Sequence, residues 1–276
     1  AGADAINSRV EFYIWRKHNG RYDSTHFPDV AMYPEAPEFA KGVVDTEHHG
    51  EGGWVPLAVG IKKAVNIPVI ASGRLDWEMG EKLIKQGKID FVNFNRRLFA
   101  DHDLPNKLKE GRIEDIAPCT ACMTCFNENE FDRPVKCRVN AALMREKEYE
   151  IKPADKIKKV VVIGGGPAGM EAARVAALRG HKVTLLEKEP MLGGAMNLAA
   201  VVKGTEKEDL PLLVDYLKTQ ITKAGVDIKT GKEADAKLIG ELKPDVVIIA
   251  AGGVHDIPQI PGIDNKKVLT SQSLHH

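Results

Sequence analysis

At 276 residues, 43% apolar and 28% charged, the chain has the length for two ordinary domains and the composition to bury a core in each. Lys plus Arg and Asp plus Glu both number 39, so no net field draws it to nucleic acid or an anionic membrane, and a specific partner must be sought in the motifs. No apolar run approaches the roughly 18 residues of a membrane span, and the start AGADAINSRV has no basic segment ahead of an apolar one, so the chain reads as cytoplasmic.

Taken in order, AGADAI looks like the end of a helix passing through a Gly turn into a strand, without an initiator Met. The other end stops soon after a strand and a PGI turn. Both ends suggest a piece of a longer protein, and His275 and His276 read either as native or as the remnant of a tag. ADAINSRV is a candidate strand. The irregular stretch over 12–53, rich in Pro, Gly and His, is too long for a plain connection and reads as a functional loop or lid. WVPLAVGIKKAV reads as helix, IPVIASG as a short buried strand, DWEMGEKLIKQGK as an amphipathic helix capped by Asp76, and IDFVNFN as another strand. Apolar strands alternating with amphipathic helices imply a parallel sheet covered by helices.

The two later strands end alike, IPVIASG in Gly73 and Arg74 and DFVNFN in Asn95, Arg96 and Arg97. One strand-helix repeat separates the ends, so both open on one face. In a (β/α)8 TIM barrel that face carries the chemistry, and the loops after the last two strands hold phosphate. Arg74 and Arg96 are then placed to grip it; an Arg after a strand can equally be solvated.

Residues 111–157 form a charged, strand-poor connector that holds all four cysteines. Cys119, Cys122 and Cys125 lie in PCTACMTC, and eleven residues separate them from Cys137. Disulfides do not suit a chain that reads as cytoplasmic. Zinc usually takes paired CxxC motifs, whereas three thiolates from one tight loop and one remote ligand suit a 4Fe-4S cluster. Spacing alone leaves both metals open.

Beyond the connector, VVVIGGGPAG sets Gly164, Gly166 and Gly169 in GxGxxG spacing between an apolar strand and a helix, with Ala168 in the same turn. The first Gly makes the tight turn, the second lets backbone approach a pyrophosphate, and the third lets helix pack on strand. Glu187 closes the next strand, where a carboxylate can take both ribose hydroxyls. Six residues further, Gly193 and Gly194 resemble the ExxxxxGG extension of FAD-binding flavoproteins, and DVVIIAAGG resembles their second FAD-contacting motif. A Gly pair can also serve only as a turn. No internal repeat or low-complexity tract is evident.

ASGR, DFVNFNRRLFADHDLPNKL, the cysteine cluster and the FAD fingerprint together resemble the old yellow enzyme-like family that includes 2,4-dienoyl-CoA reductase, trimethylamine dehydrogenase and the clostridial enoate, bile-acid and isoflavonoid reductases. The resemblance runs from about residue 55 to 270, and NLAAVVKGTEKEDL and IPGIDNKKVL share it. It implies the C-terminal part of an FMN-binding TIM barrel over 1–112, an iron–sulfur linker over 113–157 and an incomplete Rossmann-like FAD/NAD(P)-binding domain over 158–276. It implies that FMN phosphate is held by Gly73, Arg74, Asn95 and Arg96, with Asn95 standing where the family has a small residue. Cys119, Cys122, Cys125 and Cys137 are implied to hold the 4Fe-4S cluster, and the glycines, Ala168 and Glu187 to hold FAD. The family's proton-donating His falls, by register, near Tyr13, Trp15 and His18. Tyr13 and His18 are the catalytic candidates; His48 and His49 could reach substrate or be solvated.

The implied route runs from NAD(P)H to FAD, through the cluster to FMN, and on to the C=C bond of an α,β-unsaturated carbonyl substrate. The partners so implied are that small molecule and further copies of the chain, with neither nucleic acid nor membrane. Two other readings are an amine dehydrogenase of the trimethylamine dehydrogenase type and an electron-transfer subunit for a separate catalytic partner.

Overall fold

The computed structural model describes residues 4–8, 17–18, 21–22, 52, 55–122, 124–203 and 209–253, and towards the C-terminus 257–258, 260–263, 265 and 267–268. The chain divides into two compact units. One comprises residues 1–149 with 204–209, the other 150–203 with 210–276, so the cysteine segment goes with the first. No helix among the described residues is long and apolar enough to cross a membrane.

In the first unit, strands β1 (Ile6–Ser8), β4 (Val69–Ala71) and β5 (Phe91–Val92) form a parallel sheet in the order β1-β4-β5, with Ile6 opposite Val69 and Ile70 opposite Phe91. Between the first two lie β2 (Lys17–His18) and β3 (Arg21–Tyr22), which pair antiparallel. Helix α1 (Val55–Ala64) precedes β4, and α2 (Trp77–Lys85) joins β4 to β5. The sequence signals explain α2: Asp76 accepts from the Met79 amide at 2.6 Å, and the apolar face sends Leu83 into a core with Ala58, Val69, Ala71, Leu75 and Ile89. Gly80 lets this helix close on β5, since a Cβ there would stand 2.6 Å from a Val92 methyl. Asp90 joins three elements, accepting from Lys62 Nζ at 2.9 Å and from the Val69 amide at 2.7 Å.

After β5 come two short helices, α3 (Arg96–Ala100) and α4 (Leu104–Lys109), a 3-10 turn at Ile113–Asp115, and α5 (Thr124–Glu130). No strand occurs among the described residues from 111 to 157, which agrees with the connector read from the sequence.

The second unit is a parallel sheet in the order β8-β7-β6-β9, from β6 (Lys159–Ile163), β7 (Lys182–Leu186), β8 (Asp227–Lys229) and β9 (Val246–Ile249). Helix α6 (Pro167–Leu178) crosses from β6 to β7, α7 (Ala195–Lys203) and α8 (Leu210–Lys223) lie between β7 and β8, and α9 (Ala236–Leu242) leads to β9. Val160, Val161 and Val162 of β6 are buried, as are Leu185 and Leu186 of β7, because helix covers a sheet whose central strands have no wet face. Met170 and Ala173 of α6, with Leu213, Val214, Leu217 and Ile221 of α8, complete this core. Strand β6 has β7 on one side and β9 on the other. The chain's winding reverses there, the position at which open α/β sheets bind ligands beyond the carboxyl ends of their strands.

Candidate functional site

At that reversal point the glycines divide their labour as their surroundings dictate. Gly164, φ 109°, sits so close to β9 that a Cβ would lie 2.2 Å from the Ala250 carbonyl oxygen, and a Cβ on Gly169 would lie 1.8 Å from the Gly164 oxygen. Both are required by packing. Gly166 differs: a Cβ there would meet nothing within 4 Å. It is the N-cap of the twelve-residue α6, with no side chain capping it and Pro167 in the first turn, so the helix presents free N–H groups at an open surface. Ala168 is exposed on the same turn.

The second glycine pair belongs to the same cradle. Gly193 donates to the Gly165 oxygen at 2.9 Å, and a Cβ on Gly194 would come within 3.2 Å of Gly166 Cα. Asn197 steadies the turn by donating to the Leu192 oxygen at 3.1 Å. Glu187, read from the sequence as a ribose acceptor, is buried just after β7 and accepts from the Gly165 amide at 2.5 Å and the Glu189 amide at 2.8 Å. Its carboxylate therefore shapes the glycine loop. The structure brings Gly164, Gly166, Gly169, Glu187, Gly193 and Gly194 together.

In the first unit, the loops after β4 and β5 open at the same end of the sheet because those strands are parallel neighbours. Gly73 and Arg74 both have positive φ, 111° and 50°. Arg74 thus holds a left-handed conformation that a side chain disfavours, a feature that gathers at ligand clamps. Its guanidinium pairs with the Asp209 carboxylate at 4.0 Å, both side chains being largely buried. Asn95 is exposed; its carbonyl accepts the Leu98 amide at 2.9 Å and so starts α3, whose first residue is Arg96. Arg97 Nε donates to the Leu75 oxygen at 2.9 Å, which fastens the second loop to the first.

The cysteine segment carries four free, half-buried thiols. Ala121, between Cys119 and Cys122, has φ 56°, so the backbone curls there at some cost in strain. Cys122 Sγ lies 3.4 Å from Thr124 Oγ1, and Cys125 is in α5. Burial pushes the Cys137 thiol above its ordinary range, the backbone amides of Asn140 and Val139 oppose that, and Cys119 and Cys122 add to the rise. Three of the four sulfurs therefore share one electrostatic neighbourhood. Among the described residues no three His, Cys, Asp or Glu side chains are gathered closely enough to hold a single metal ion.

Two polar residues that the sequence reading passed over strap this segment to α3. Asp101, the C-cap of α3 and only 5% exposed, accepts from the Ala117 amide at 2.8 Å, Lys107 Nζ at 2.6 Å and the Asp103 amide at 3.0 Å. Lys107 also reaches the Asp115 oxygen at 2.9 Å. Beyond Cys137, Asn140 Nδ2 donates to the Phe99 oxygen at 2.9 Å. Of the catalytic candidates, His18 lies in β2, paired with Arg21, while Tyr13, His48 and His49 lie outside the described residues.

Residues 158–276 match the pyridine nucleotide-disulphide oxidoreductase family, which implies FAD and NAD(P)H as cofactors. The chain is 43% identical over 228 residues to an NADH oxidase of Thermoanaerobacter brockii, a match covering 81% of the chain and 35% of that protein. It is 37% identical over 266 residues to a cinnamate reductase of Clostridium sporogenes, covering 96% of the chain and 36% of the relative. A solved 2-naphthoyl-CoA reductase in complex with 2-naphthoyl-CoA superposes with a TM-score of 0.77 at 41% identity, over 81% of this chain and 34% of that one. The chain thus spans about a third of the length of the curated relatives it matches.

Proposed function

The chain belongs to the old yellow enzyme-like oxidoreductases of the 2,4-dienoyl-CoA reductase and enoate reductase type, and from that premise we propose that it serves an NAD(P)H-dependent flavoenzyme that reduces the C=C bond of a small α,β-unsaturated carbonyl compound in the cytoplasm. The observation that carries this reading is the presence in one chain of an open glycine cradle at a helix N-terminus and of two arginine-bearing loops at one end of a parallel sheet, with four free thiols between them in sequence.

The residues suit the groups assigned to them. Gly166 leaves the gap that a pyrophosphate of FAD fills, and the α6 N–H groups face it. Strands β1, β4 and β5 follow one another as parallel neighbours, as the last strands of a TIM barrel do, and Arg74 and Arg96 begin the loops that grip FMN phosphate there, with Gly73 and Asn95 shaping the approach. Arg97 keeps the two loops in register. Cys119, Cys122, Cys125 and Cys137 hold a 4Fe-4S cluster. Three thiolates from one tight loop and one from a remote position suit it, since each iron of such a cluster takes one thiolate. Cys137 must lose its proton to ligate; burial opposes that loss, and the amides of Asn140 and Val139 offset only part of it. Bound here, FAD would supply two-electron chemistry toward NAD(P)H, the cluster one-electron transfer, and FMN hydride chemistry toward the alkene β-carbon, leaving the α-carbon to take a proton. Tyr13 or His18 supplies that proton.

Full-length protein purified anaerobically should contain FAD, FMN and about four irons with matching acid-labile sulfide. FAD without FMN would leave an electron-transfer module and overturn the reading. Arg96→Ala should lose FMN and keep iron; equal loss of both would refute the phosphate assignment.

A further inference from the structure

We infer that Glu128 and Lys136 form a charge pair beside the cysteine ligands that sets the reduction potential of the cluster, the carboxylate lowering it and the ammonium raising it; this rests on the cluster assignment of the preceding section. Glu128 and Cys125 are both in α5, three positions apart, so they share one face of the helix with Cβ atoms about 5–6 Å apart. The Glu128 Oε2 atom is buried and accepts no hydrogen bond from the protein. It faces the Lys136 ammonium at 3.9 Å, an ion pair too long to be a hydrogen bond. Lys136 immediately precedes Cys137. The pair therefore joins the helix of one ligand to the neighbour of another.

The chain folds back to make this contact. Asp132, φ 52°, ends α5 in a left-handed turn: its amide donates to the Asn129 oxygen at 3.1 Å, and the Arg133 amide donates to the Glu128 oxygen at 2.9 Å. Beyond that reversal the chain returns Lys136 to the helix it has just left. The two charges differ in reach. The Glu128 side chain is 15% exposed and no N–H offsets Oε2, so its field is weakly screened, whereas Lys136 is 69% exposed and loses much of its field to solvent and salt. Reduction adds one negative charge to the cluster, which a neighbouring carboxylate opposes and a neighbouring ammonium favours.

The test is an EPR-monitored potentiometric titration of the cluster in full-length protein, with iron, FMN and FAD content measured alongside. Glu128→Gln keeps the shape and removes the charge. Its reduced-to-oxidised ratio at fixed potential should rise about tenfold, which is about 59 mV more positive for a one-electron couple. Lys136→Met should lower that ratio by about threefold, and by less at high salt. Opposite shifts mark a charge effect, since a loosened loop does not answer to the sign of the charge removed. Shifts of one sign, or a fully loaded Glu128→Gln cluster with an unchanged potential, overturn the inference alone. If Glu128→Gln loses its cluster on purification, Lys136→Met carries the test, and a potential that does not fall overturns the inference. Zinc in place of iron in the wild-type protein overturns the reading beneath it.

Discussion

Replacing Asp101 by Ala should be among the most damaging single changes in the first unit. The carboxylate is 5% exposed and takes three donors, the Ala117 and Asp103 amides and the Lys107 ammonium. Its loss strands Lys107, whose side chain is only 16% exposed and retains the Asp115 oxygen as a partner. Hydrogen bonds to a charged group contribute about 1.5–3 kcal/mol each, and removing one partner of a buried ion pair costs about 3–5 kcal/mol. These effects overlap, so the expected loss is about 3–5 kcal/mol, a large share of the roughly 5–15 kcal/mol that holds a domain together. The assay is urea unfolding followed by tryptophan fluorescence, which reports this unit because Trp15, Trp54 and Trp77 all lie in it. At an m-value of about 1–3 kcal/mol/M the midpoint should fall by at least about 1 M. The double variant Asp101→Ala with Lys107→Met should recover part of the loss, since no ammonium is then left uncompensated. A loss below about 1 kcal/mol, or a double variant weaker than the two single changes added together, would refute the account.

Gly166→Ala should fold normally, since a Cβ there meets nothing and the φ of −74° suits any residue, yet bind FAD at least about tenfold more weakly. An unchanged flavin titration would show that the gap is not the pyrophosphate seat. Gly169→Ala should instead destabilise the second unit by about 3 kcal/mol or more with flavin absent, because its Cβ would overlap the Gly164 oxygen; a wild-type melting curve would contradict this. Arg97→Met should lower FMN retention while leaving FAD content intact, by freeing the second loop from Leu75; wild-type FMN content would count against the tether. The Asp90 carboxyl is held below its ordinary range by the Lys62 ammonium and the Val69 amide. Its contribution is therefore complete above the unfolded value of about 4 and fades as pH falls through the lower folded value. The gap in urea midpoint between wild type and Asp90→Asn should be open at pH 7 and narrow below about pH 4; a gap that widened in acid would reverse the sign.

The readable features were those whose cause is local. Asp76 caps α2 because its neighbours alone determine the bond, and the GxGxxG turn is where a strand-to-helix reversal demands it. The arginines at the ends of β4 and β5 followed from strand alternation. What escaped notice depends on contacts between distant positions. Asp101 finds Ala117 sixteen residues on, Arg97 finds Leu75 twenty-two back, and Asn140 finds Phe99 forty-one back. Each is a polar residue without periodic company, which from sequence looks like solvated surface. Glu187 was legible by position, but its hold on the Gly165 amide depends on how the cradle closes.

For anyone redesigning this chain, Arg74 is a place where two goals part. A stability-driven choice would put Gly at φ 50° and relieve a strain on the order of 1 kcal/mol. That change would also delete the guanidinium at the mouth of the sheet. A sequence optimised for backbone comfort would thus erase the cation that faces the Asp209 carboxylate, so the change in melting temperature of Arg74→Gly would report relieved backbone strain set against a lost ion pair.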